Sequence, residues 1–250
     1  MSKTVIVVPC FNEAERLRPD GFDPLLRLTG VSILFVNDGS TDGTLARLEA
    51  FRAEHPETVQ VLDLKVNSGK GEAVRRGMLH ALDAGADITG YLDADLATPA
   101  QEFARLLQVL NQSSLDLRIL IGARVRLLGR DIQRSPSRHI LGRVFATVAS
   151  TILGVPVYDT QCGAKLFRRN PTLESALSRP FSSRWVFDVE LIGRLVLGCP
   201  SPGESITPTI MEEPLLVWRD IKGSKLGVTA MVRAAFDLLR IKWALQSWTR

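Results

Sequence analysis

Short apolar runs alternate with segments of helical periodicity along the first half of the chain. The apolar runs are too short to be buried helices and are rich in Val, Ile and Leu, which predicts buried strands. They occupy residues 5–8, 33–36, 59–64, 88–92 and 119–121. Helical spacing follows at residues 14–28, from the cap at 40–42 to about 54, at 70–84 and after Thr98-Pro99. This alternation predicts an α/β fold, a mostly parallel sheet flanked by helices.

The second half of the chain has a less regular pattern. Pro136 precedes an apolar helical segment at about 139–153, a short strand is predicted at 165–167 and a helix at 187–197. The pattern at residues 206–218 predicts one or two strands, and the pattern from about Leu226 predicts an amphipathic helix. We therefore expect an α/β domain at 1–222 and a C-terminal amphipathic helix at 223–250. That helix belongs to the same domain or serves as an accessory at a membrane surface.

Length and composition are those of one large globular domain. The chain has 250 residues, of which 45% are hydrophobic and 23% charged, with a net charge of +4. Its three cysteines, at 10, 162 and 199, are too widely spaced for a disulfide framework or a zinc site, which fits a reducing cytoplasm. No apolar run reaches the ~20 residues of a membrane-spanning helix, and the first run is too short for a signal peptide.

Two acidic residues stand at the end of the fourth predicted strand. Asp93 and Asp95 flank Ala94 directly after the apolar run 88–92. Strand ends of open α/β sheets face a ligand crevice, so both carboxylates are expected there. Such a pair is stabilised by a hard divalent cation, Mg²⁺ or Mn²⁺, which also binds a diphosphate through its oxygens. Taken alone, the same pattern would also suit a solvated turn or a helix cap.

Polar residues follow the other predicted strands at the same edge. Asn12 and Glu13 follow the first strand and Asp38 ends the second, where a carboxylate can accept hydrogen bonds from a ribose or a base. After the third strand, Lys70 begins a helix and could face a phosphate. Neither a Gly-x4-Gly-Lys-Ser loop nor a Gly-x-Gly-x-x-Gly turn is present. Each segment alone would suit a helix cap or a turn, but together they favour a nucleotide site.

These segments together resemble family 2 glycosyltransferases with the GT-A, Rossmann-like fold. The matching pieces are 7–13 (VVPCFNE), 36–44 (VNDGSTDGT), 67–71 (NSGKG) and 93–95 (DAD). The resemblance implies that four residues surround the nucleoside: Pro9, Phe11, Glu13 and Asp38. It also implies that Asp93, Ala94 and Asp95 face the diphosphate, with Asp95 the leading metal ligand and Asp93 beside it.

Further motifs resemble the dolichyl-phosphate and polyprenyl-phosphate sugar synthases, the glucosyl enzymes most of all. They are 159–165 (DTQCGAK), 187–191 (FDVEL) and 223–226 (GSKL). By similarity to mannosyl relatives, Arg124, Arg219 and Lys225 match positions that contact the donor phosphates or the acceptor. Ala97 is a departure, since the mannosyl relatives carry a metal-binding Gln there. The resemblance therefore implies a glucosyl enzyme and leaves the metal's ligand set open.

A basic segment precedes the apolar helix predicted at 139–153. Residues 118–143 contain seven arginines, and Asp131 is their only acid. The stretch offers no aromatic stacking platform, so nucleic acid is not an expected partner. Basic charge beside amphipathic helices favours an anionic membrane surface, at about 1 kcal/mol per cation. The alternative is a solvated loop beside helices that pack on the core.

The combined expectation is a peripheral enzyme on the cytoplasmic face of a membrane. It would transfer a hexose, with glucose from UDP-glucose expected, to a polyprenyl or dolichyl phosphate, inverting the anomeric carbon with help from the metal. Asp188 is a candidate catalytic base for a hydroxyl acceptor; a lipid phosphate would leave it an acceptor-site or structural role. The alternatives are another donor such as GDP-mannose, a non-lipid acceptor, or a non-catalytic nucleotide-sugar-binding module. The oligomeric state stays open.

Overall fold

A seven-stranded sheet forms the centre of the molecule. The computed structural model describes residues 2–133, 136–198, 209–220 and 228–248. The sheet strands are β1 (Thr4–Cys10), β2 (Val31–Asp38), β3 (Val59–Leu64), β4 (Ile88–Leu92), β5 (Ile119–Ala123), β7 (Ala164–Arg168) and β8 (Ile210–Pro214). Their order is β3-β2-β1-β4-β7-β5-β8, and β7 alone is antiparallel to its neighbours. Two short strands, β6 (Asp131–Gln133) and β9 (Val217–Arg219), pair separately.

Helices cover both faces of this sheet. They are α1 (Asp23–Leu26), α2 (Thr44–Glu54), α3 (Lys70–Asp83), α4 (Ala100–Gln112), α5 (Pro136–Leu153), α6 (Pro171–Leu177), α7 (Phe187–Leu197) and α8 (Val228–Trp248). Side chains alternate along the strands, so Val5 and Val7 join the core under α3 and α5–α8. Ile6 and Val8 join the core under α1, α2 and α4. The predicted fold class, a mostly parallel sheet flanked by helices with a C-terminal helix, is confirmed.

Several elements differ from the sequence prediction. The helix predicted at 14–28 is wrong, because this stretch holds only a 3-10 helix at Pro19–Phe22 and the four-residue α1. Pro19 and Pro24 lack the N–H that a continuing helix needs, so each can only start a new turn. Helix α6 and strand β6 were not predicted. The helix predicted at 187–197 is confirmed residue for residue.

The C-terminal helix packs on the domain through one face. Leu238, Ile241 and Leu245 of α8 are buried in the same core as α7. The opposite positions, Phe236 and Trp243, are 64% and 68% exposed. The boundary predicted between 222 and 223 lies outside the described residues and stays a prediction. Within the ranges that the structure describes, no helix is both long and apolar enough to traverse a bilayer.

Candidate functional site

The Asp93–Asp95 turn begins where β4 ends at the carboxyl edge of the sheet. The Asp93 backbone N–H donates to the Gly163 carbonyl at 3.0 Å, which ties the turn to the loop before β7. Leu96 has a φ of +52°, and this tight turn lets Asp95 Oδ1 accept a 3.0 Å hydrogen bond from the Ala97 N–H. A Cβ atom on Gly163 would lie 2.1 Å from Asp93 Oδ2. Glycine is therefore required there for Asp93 to keep its position.

Lys70 is the cation that faces Asp93. Its Nζ lies 2.6 Å from Asp93 Oδ1, and the side chain is 22% exposed. The contact is a close ion pair between the ammonium and the carboxylate. Burial works against the ammonium charge, but Asp93 and Asp188 outweigh it and raise the Lys70 pKa. The Lys70 ammonium also lies 5.7 Å from the ring centre of Trp185, which is 66% exposed.

Glu13 completes a cluster of three carboxylates at this edge. Its Oε1 pairs with Arg16 at 2.8 Å, whereas its buried Oε2 has no hydrogen-bond partner. Burial raises the pKa of Glu13; Arg16 opposes the rise, and Asp95 and Asp93 add to it. Burial and then Asp93 likewise raise the pKa of Asp95. The structure thus brings Glu13, Asp93, Asp95 and Lys70 together, as the strand ends predicted.

The residues predicted to surround a nucleoside line the ends of β1 and β2. Pro9 is partly buried, and the Phe11 ring is 43% exposed beside it. Asp38 is buried, and its two carboxylate oxygens accept hydrogen bonds from the Ser68 and Gly69 N–H groups, both at 2.8 Å. In this structure Asp38 therefore orders the loop that leads to Lys70. A direct contact between Asp38 and the nucleoside stays a prediction.

The oxygen atoms of this cluster suit a hard divalent cation. Glu13 Oε2 is buried without a hydrogen-bond partner, Asp93 Oδ1 is paired with the Lys70 ammonium, and Asp95 adds a further carboxylate. Mg²⁺ and Mn²⁺ prefer such oxygen ligands and usually complete their shell with water and substrate phosphates. Across the described ranges, no group of three or more His, Cys, Asp or Glu side chains is arranged to hold a metal ion. A cation here would therefore depend on a diphosphate for the rest of its ligands.

Asp188 lies beneath the crevice in a buried polar network. Its Oδ1 is 2.6 Å from Lys165 Nζ, and the Tyr91 hydroxyl donates to the same oxygen. Gln161 Nε2 donates to Oδ2 at 3.4 Å. Lys165 is fully buried and also donates to the Cys162 carbonyl at 2.7 Å. The network joins α7 to β4 and to the loop that contacts Asp93, so it positions the site; a role for Asp188 as base stays a prediction.

Of the predicted phosphate-binding cations, the structure describes Arg124 and Arg219, and the Arg124 guanidinium lies 5.3 Å from the ring centre of Trp218, the residue before Arg219. Arg124 is paired bidentately with Asp159, at 2.7 Å from Nε and from Nη2, and its side chain is only 13% exposed. Burial disfavours the charged form of Arg124, but the Asp159 carboxylate stabilises it more strongly, so the pKa of Arg124 is raised. Arg219 is 64% exposed and lies 3.7 Å from Asp131. Its backbone N–H donates to the Ala97 carbonyl, which places β9 against the Asp95 turn. Lys225 lies outside the described residues.

The basic segment forms an open cavity beside β6. Its volume is about 820 Å³, and Arg126 and Arg130 line it together with Leu127, Leu128 and residues 131–133. Leu128 is fully exposed. Arg143 packs instead against Tyr158, with its guanidinium carbon 3.6 Å from the ring centre. The predicted positive loop is therefore divided between a solvent-facing cavity and internal pairs.

Several residues of the site were missed by sequence reasoning. Lys165 and Gln161 stand in the segment 159–165, but nothing in that segment indicates that both reach Asp188. Tyr91 precedes Asp93 by two residues, and its position in a strand would have placed it on the same face. Trp185, whose ring centre lies 5.7 Å from the Lys70 ammonium, has no signal in the sequence that indicates this contact.

Comparison with known proteins supports one family. The sequence profile described as glycosyl transferase family 2 matches residues 5–174. A dolichyl-phosphate beta-glucosyltransferase of Trichomonas vaginalis is 32% identical over 255 residues, covering 95% of this chain and 70% of that protein. The Drosophila melanogaster protein of the same name is 35% identical over 236 residues, covering 88% and 68%. A polyprenol monophosphomannose synthase of Mycolicibacterium smegmatis is 29% identical over 201 residues, covering 78% and 72%.

Solved structures agree on the fold. Glucosyl-3-phosphoglycerate synthase from Mycobacterium tuberculosis, crystallised with Mn²⁺, UDP and glucosyl-3-phosphoglycerate, superposes with a TM-score of 0.68. It is 21% identical, and the match covers 97% of this chain and 80% of that one. At this identity the likeness shows the GT-A fold alone. The profile match and the sequence relatives settle the classification: this chain belongs to glycosyl transferase family 2.

Proposed function

We propose that this protein transfers glucose from UDP-glucose to a dolichyl or polyprenyl phosphate with inversion, assisted by Mg²⁺ or Mn²⁺. The observation that carries the proposal is the cluster of Glu13, Asp93 and Asp95 facing Lys70 at the sheet edge. Sequence relatives named dolichyl-phosphate beta-glucosyltransferase support the choice of sugar and acceptor. A structural neighbour crystallised with Mn²⁺ and UDP-glucose supports the choice of ion and donor.

The residues of the cluster have separate tasks in this reaction. Asp95 and Asp93 would hold the divalent ion, which supplies charge stabilisation to the departing diphosphate. Lys70 adds a positive charge at the same end of the sugar-diphosphate bond. Pro9 and Phe11 offer an apolar wall to the nucleoside. Asp38 keeps the loop before Lys70 in place through its bonds to Ser68 and Gly69.

The acceptor needs orientation more than deprotonation. A lipid monophosphate is already anionic at neutral pH, so its oxygen can attack the anomeric carbon directly, opposite the leaving diphosphate. An α-linked donor then gives a β-linked product in a single displacement. Arg219, which is exposed and beside the Asp95 turn, is suited to hold that phosphate. Arg124 supports the same region through Asp159, and Lys225 is proposed as a further phosphate contact by resemblance.

An anionic membrane surface is the proposed location of the acceptor. Phe236, Leu239 and Trp243 form an exposed apolar row on α8, at positions i, i+3 and i+7. Three exposed cations accompany this row, Arg233, Arg240 and Lys242. An apolar row flanked by Arg and Lys matches an interfacial helix that lies in the headgroup region. At about 1 kcal/mol per cation, the three charges would contribute about 3 kcal/mol to binding.

A donor and acceptor screen tests the proposed reaction. Purified protein is incubated with a short polyprenyl phosphate, Mn²⁺ or Mg²⁺, and either UDP-glucose or GDP-mannose, and release of UDP or GDP is measured. We expect UDP release that requires the lipid phosphate, and at least a 100-fold lower rate, roughly, for Asp95→Asn. The matched control is Asp87→Asn, an exposed carboxylate at the opposite end of β4. Asp95→Asn at the wild-type rate would contradict the metal assignment.

Other outcomes of the same screen identify the alternatives. GDP release from GDP-mannose would favour a mannosyl enzyme, a reading that the Mycolicibacterium relative supports. UDP release that needs no lipid phosphate would indicate a soluble acceptor. Binding of UDP-glucose without any turnover would indicate a nucleotide-sugar-binding module, and it would refute the proposed enzyme.

A further inference from the structure

Electrostatic contacts hold the ammonium group of Lys70, whereas helix α3 holds its backbone. Lys70 is the first residue of α3, so its Cα position is fixed by the helix. Its ammonium contacts Asp93 Oδ1 at 2.6 Å and lies over the exposed Trp185 ring. A lysine has a flexible four-carbon stem and three donors, so its charge can move several ångströms while the helix stays in place.

The oxygen that Lys70 contacts is also a proposed ligand for the divalent ion. Asp93 Oδ1 is a buried atom, and the cation that neutralises it in this structure is the Lys70 ammonium, 2.6 Å away. A divalent ion bound there would bring two positive charges next to the Lys70 ammonium, which repels them. An ion that arrives with a diphosphate brings almost no net charge, and the diphosphate offers Lys70 a new anionic partner.

We propose that the Lys70 ammonium pairs with Asp93 when no ligand is bound. It moves to the diphosphate when the ion and the donor bind together. The inference rests on the proposed function, because it assumes a metal and a nucleotide-sugar. Lys70 then opposes binding of the ion alone and favours binding of the ion with its donor. Because such coupling is reciprocal, bound donor raises the affinity of the protein for the ion, and bound ion raises its affinity for the donor.

The consequence is an opposite effect of Lys70 on two measurable affinities. Removing the charge by Lys70→Gln frees Asp93 for the ion, so Mn²⁺ affinity without nucleotide should rise about tenfold. The same change removes a diphosphate contact, so UDP-glucose affinity at saturating Mn²⁺ should fall about tenfold. A lysine that merely supported the fold of the site would lower both affinities when removed.

The experiment measures these two affinities in three proteins. Free Mn²⁺ is followed by electron paramagnetic resonance, and UDP-glucose binding by calorimetry, for wild type, Lys70→Gln and Lys65→Gln. Lys65 is the matched control, because it lies before the same helix, loses the same charge, and is 85% exposed beside Asp63. We expect Lys65→Gln to match wild type in both measurements. Lys70→Met, which keeps the apolar stem, replaces Lys70→Gln if the latter unfolds.

The outcomes separate this inference from the proposed function. If wild type binds no Mn²⁺ even with UDP-glucose, metal assistance fails and the exchange fails with it. If wild type binds Mn²⁺ with UDP-glucose but the Lys70 variants bind Mn²⁺ no more tightly without nucleotide, the exchange alone is refuted. Loss of both affinities in the variants would refute it as well, since Lys70 would then be a structural support of the site.

Discussion

Gly163 makes the position of Asp93 sensitive to a single methyl group. A Cβ atom at residue 163 would lie 2.1 Å from Asp93 Oδ2 and 2.3 Å from Cγ, whereas ordinary contacts begin at 3.4 Å. In Gly163→Ala the Asp93 carboxylate must therefore move by about 1.3 Å, the difference between the 2.1 Å to Oδ2 and the 3.4 Å of an ordinary contact. The Asp93 side chain is 30% exposed, so it has room to turn away without disrupting the core.

The expected effect falls on the reaction more than on the fold. A displacement of about 1 Å at a reacting site costs about 100-fold in rate, or about 2.7 kcal/mol of transition-state stabilisation. We expect kcat/KM for UDP-glucose and a polyprenyl phosphate to fall by about that factor. The free energy of unfolding should fall by only about 1 kcal/mol, because a flexible side chain absorbs the overlap. Steady-state kinetics and urea unfolding measure the two quantities.

A second background tests whether Asp93 transmits the effect. In Asp93→Ala the carboxylate that overlaps with the new methyl group is gone. Adding Gly163→Ala should then leave the free energy of unfolding unchanged within about 0.5 kcal/mol, a non-additive result for two residues in contact. The reasoning is refuted if Gly163→Ala keeps the wild-type kcat/KM, or if its stability cost is the same in both backgrounds.

Three further outcomes are expected. Lys165→Met leaves the buried Asp188 carboxylate without its cation and should lower the free energy of unfolding in urea by about 3–5 kcal/mol. An unfolding midpoint equal to that of the wild type would contradict the stabilising role of this pair. Burial and Asp93 raise the pKa of Asp95, so protons compete with the ion at a higher pH than at an ordinary aspartate, and Mn²⁺ affinity should begin to fall well above the ordinary pKa of 3.8; a calorimetric affinity that stays constant until the pH reaches that ordinary value would contradict this. Phe236→Glu with Trp243→Glu should abolish co-sedimentation with anionic vesicles, while persisting binding would exclude α8 as the contact.

Much of the fold follows from local patterns in the sequence. Buried parallel strands such as β4 are continuous apolar runs, so their positions were predicted closely. The direction of β7 was not predictable, because three or four apolar residues fix a strand but not its orientation. Residues 14–28 have the apolar spacing of a helix, but Pro19 and Pro24 interrupt it, because each lacks the N–H that a continuous helix needs.

The residues of the site that lie at strand ends were predictable from the sequence. The ion pairs between residues far apart in the sequence were not. Asp93, Asp95 and Lys70 meet because parallel strands end at one edge, a rule that needs no coordinates. Arg124 is tied to Asp159, 35 residues away, and no spacing indicates that pair. The sequence leaves Asp188 as a candidate base, because nothing in it indicates that fully buried Lys165 pairs with that carboxylate.

The reversed strand β7 divides the molecule in a way that matters for engineering. The chain from β1 through α4 supplies the clustered residues Glu13, Lys70, Asp93 and Asp95. Because β7 runs opposite to β4, the loop before it reaches the Asp93 turn from the other half of the chain. Recombination between relatives just before that loop would exchange β7 and the helices α6–α8 while retaining the carboxylate cluster and Lys70. The hydrogen bond from Asp93 to the Gly163 carbonyl and the Arg124–Asp159 ion pair both cross that junction, so such chimaeras should preserve both.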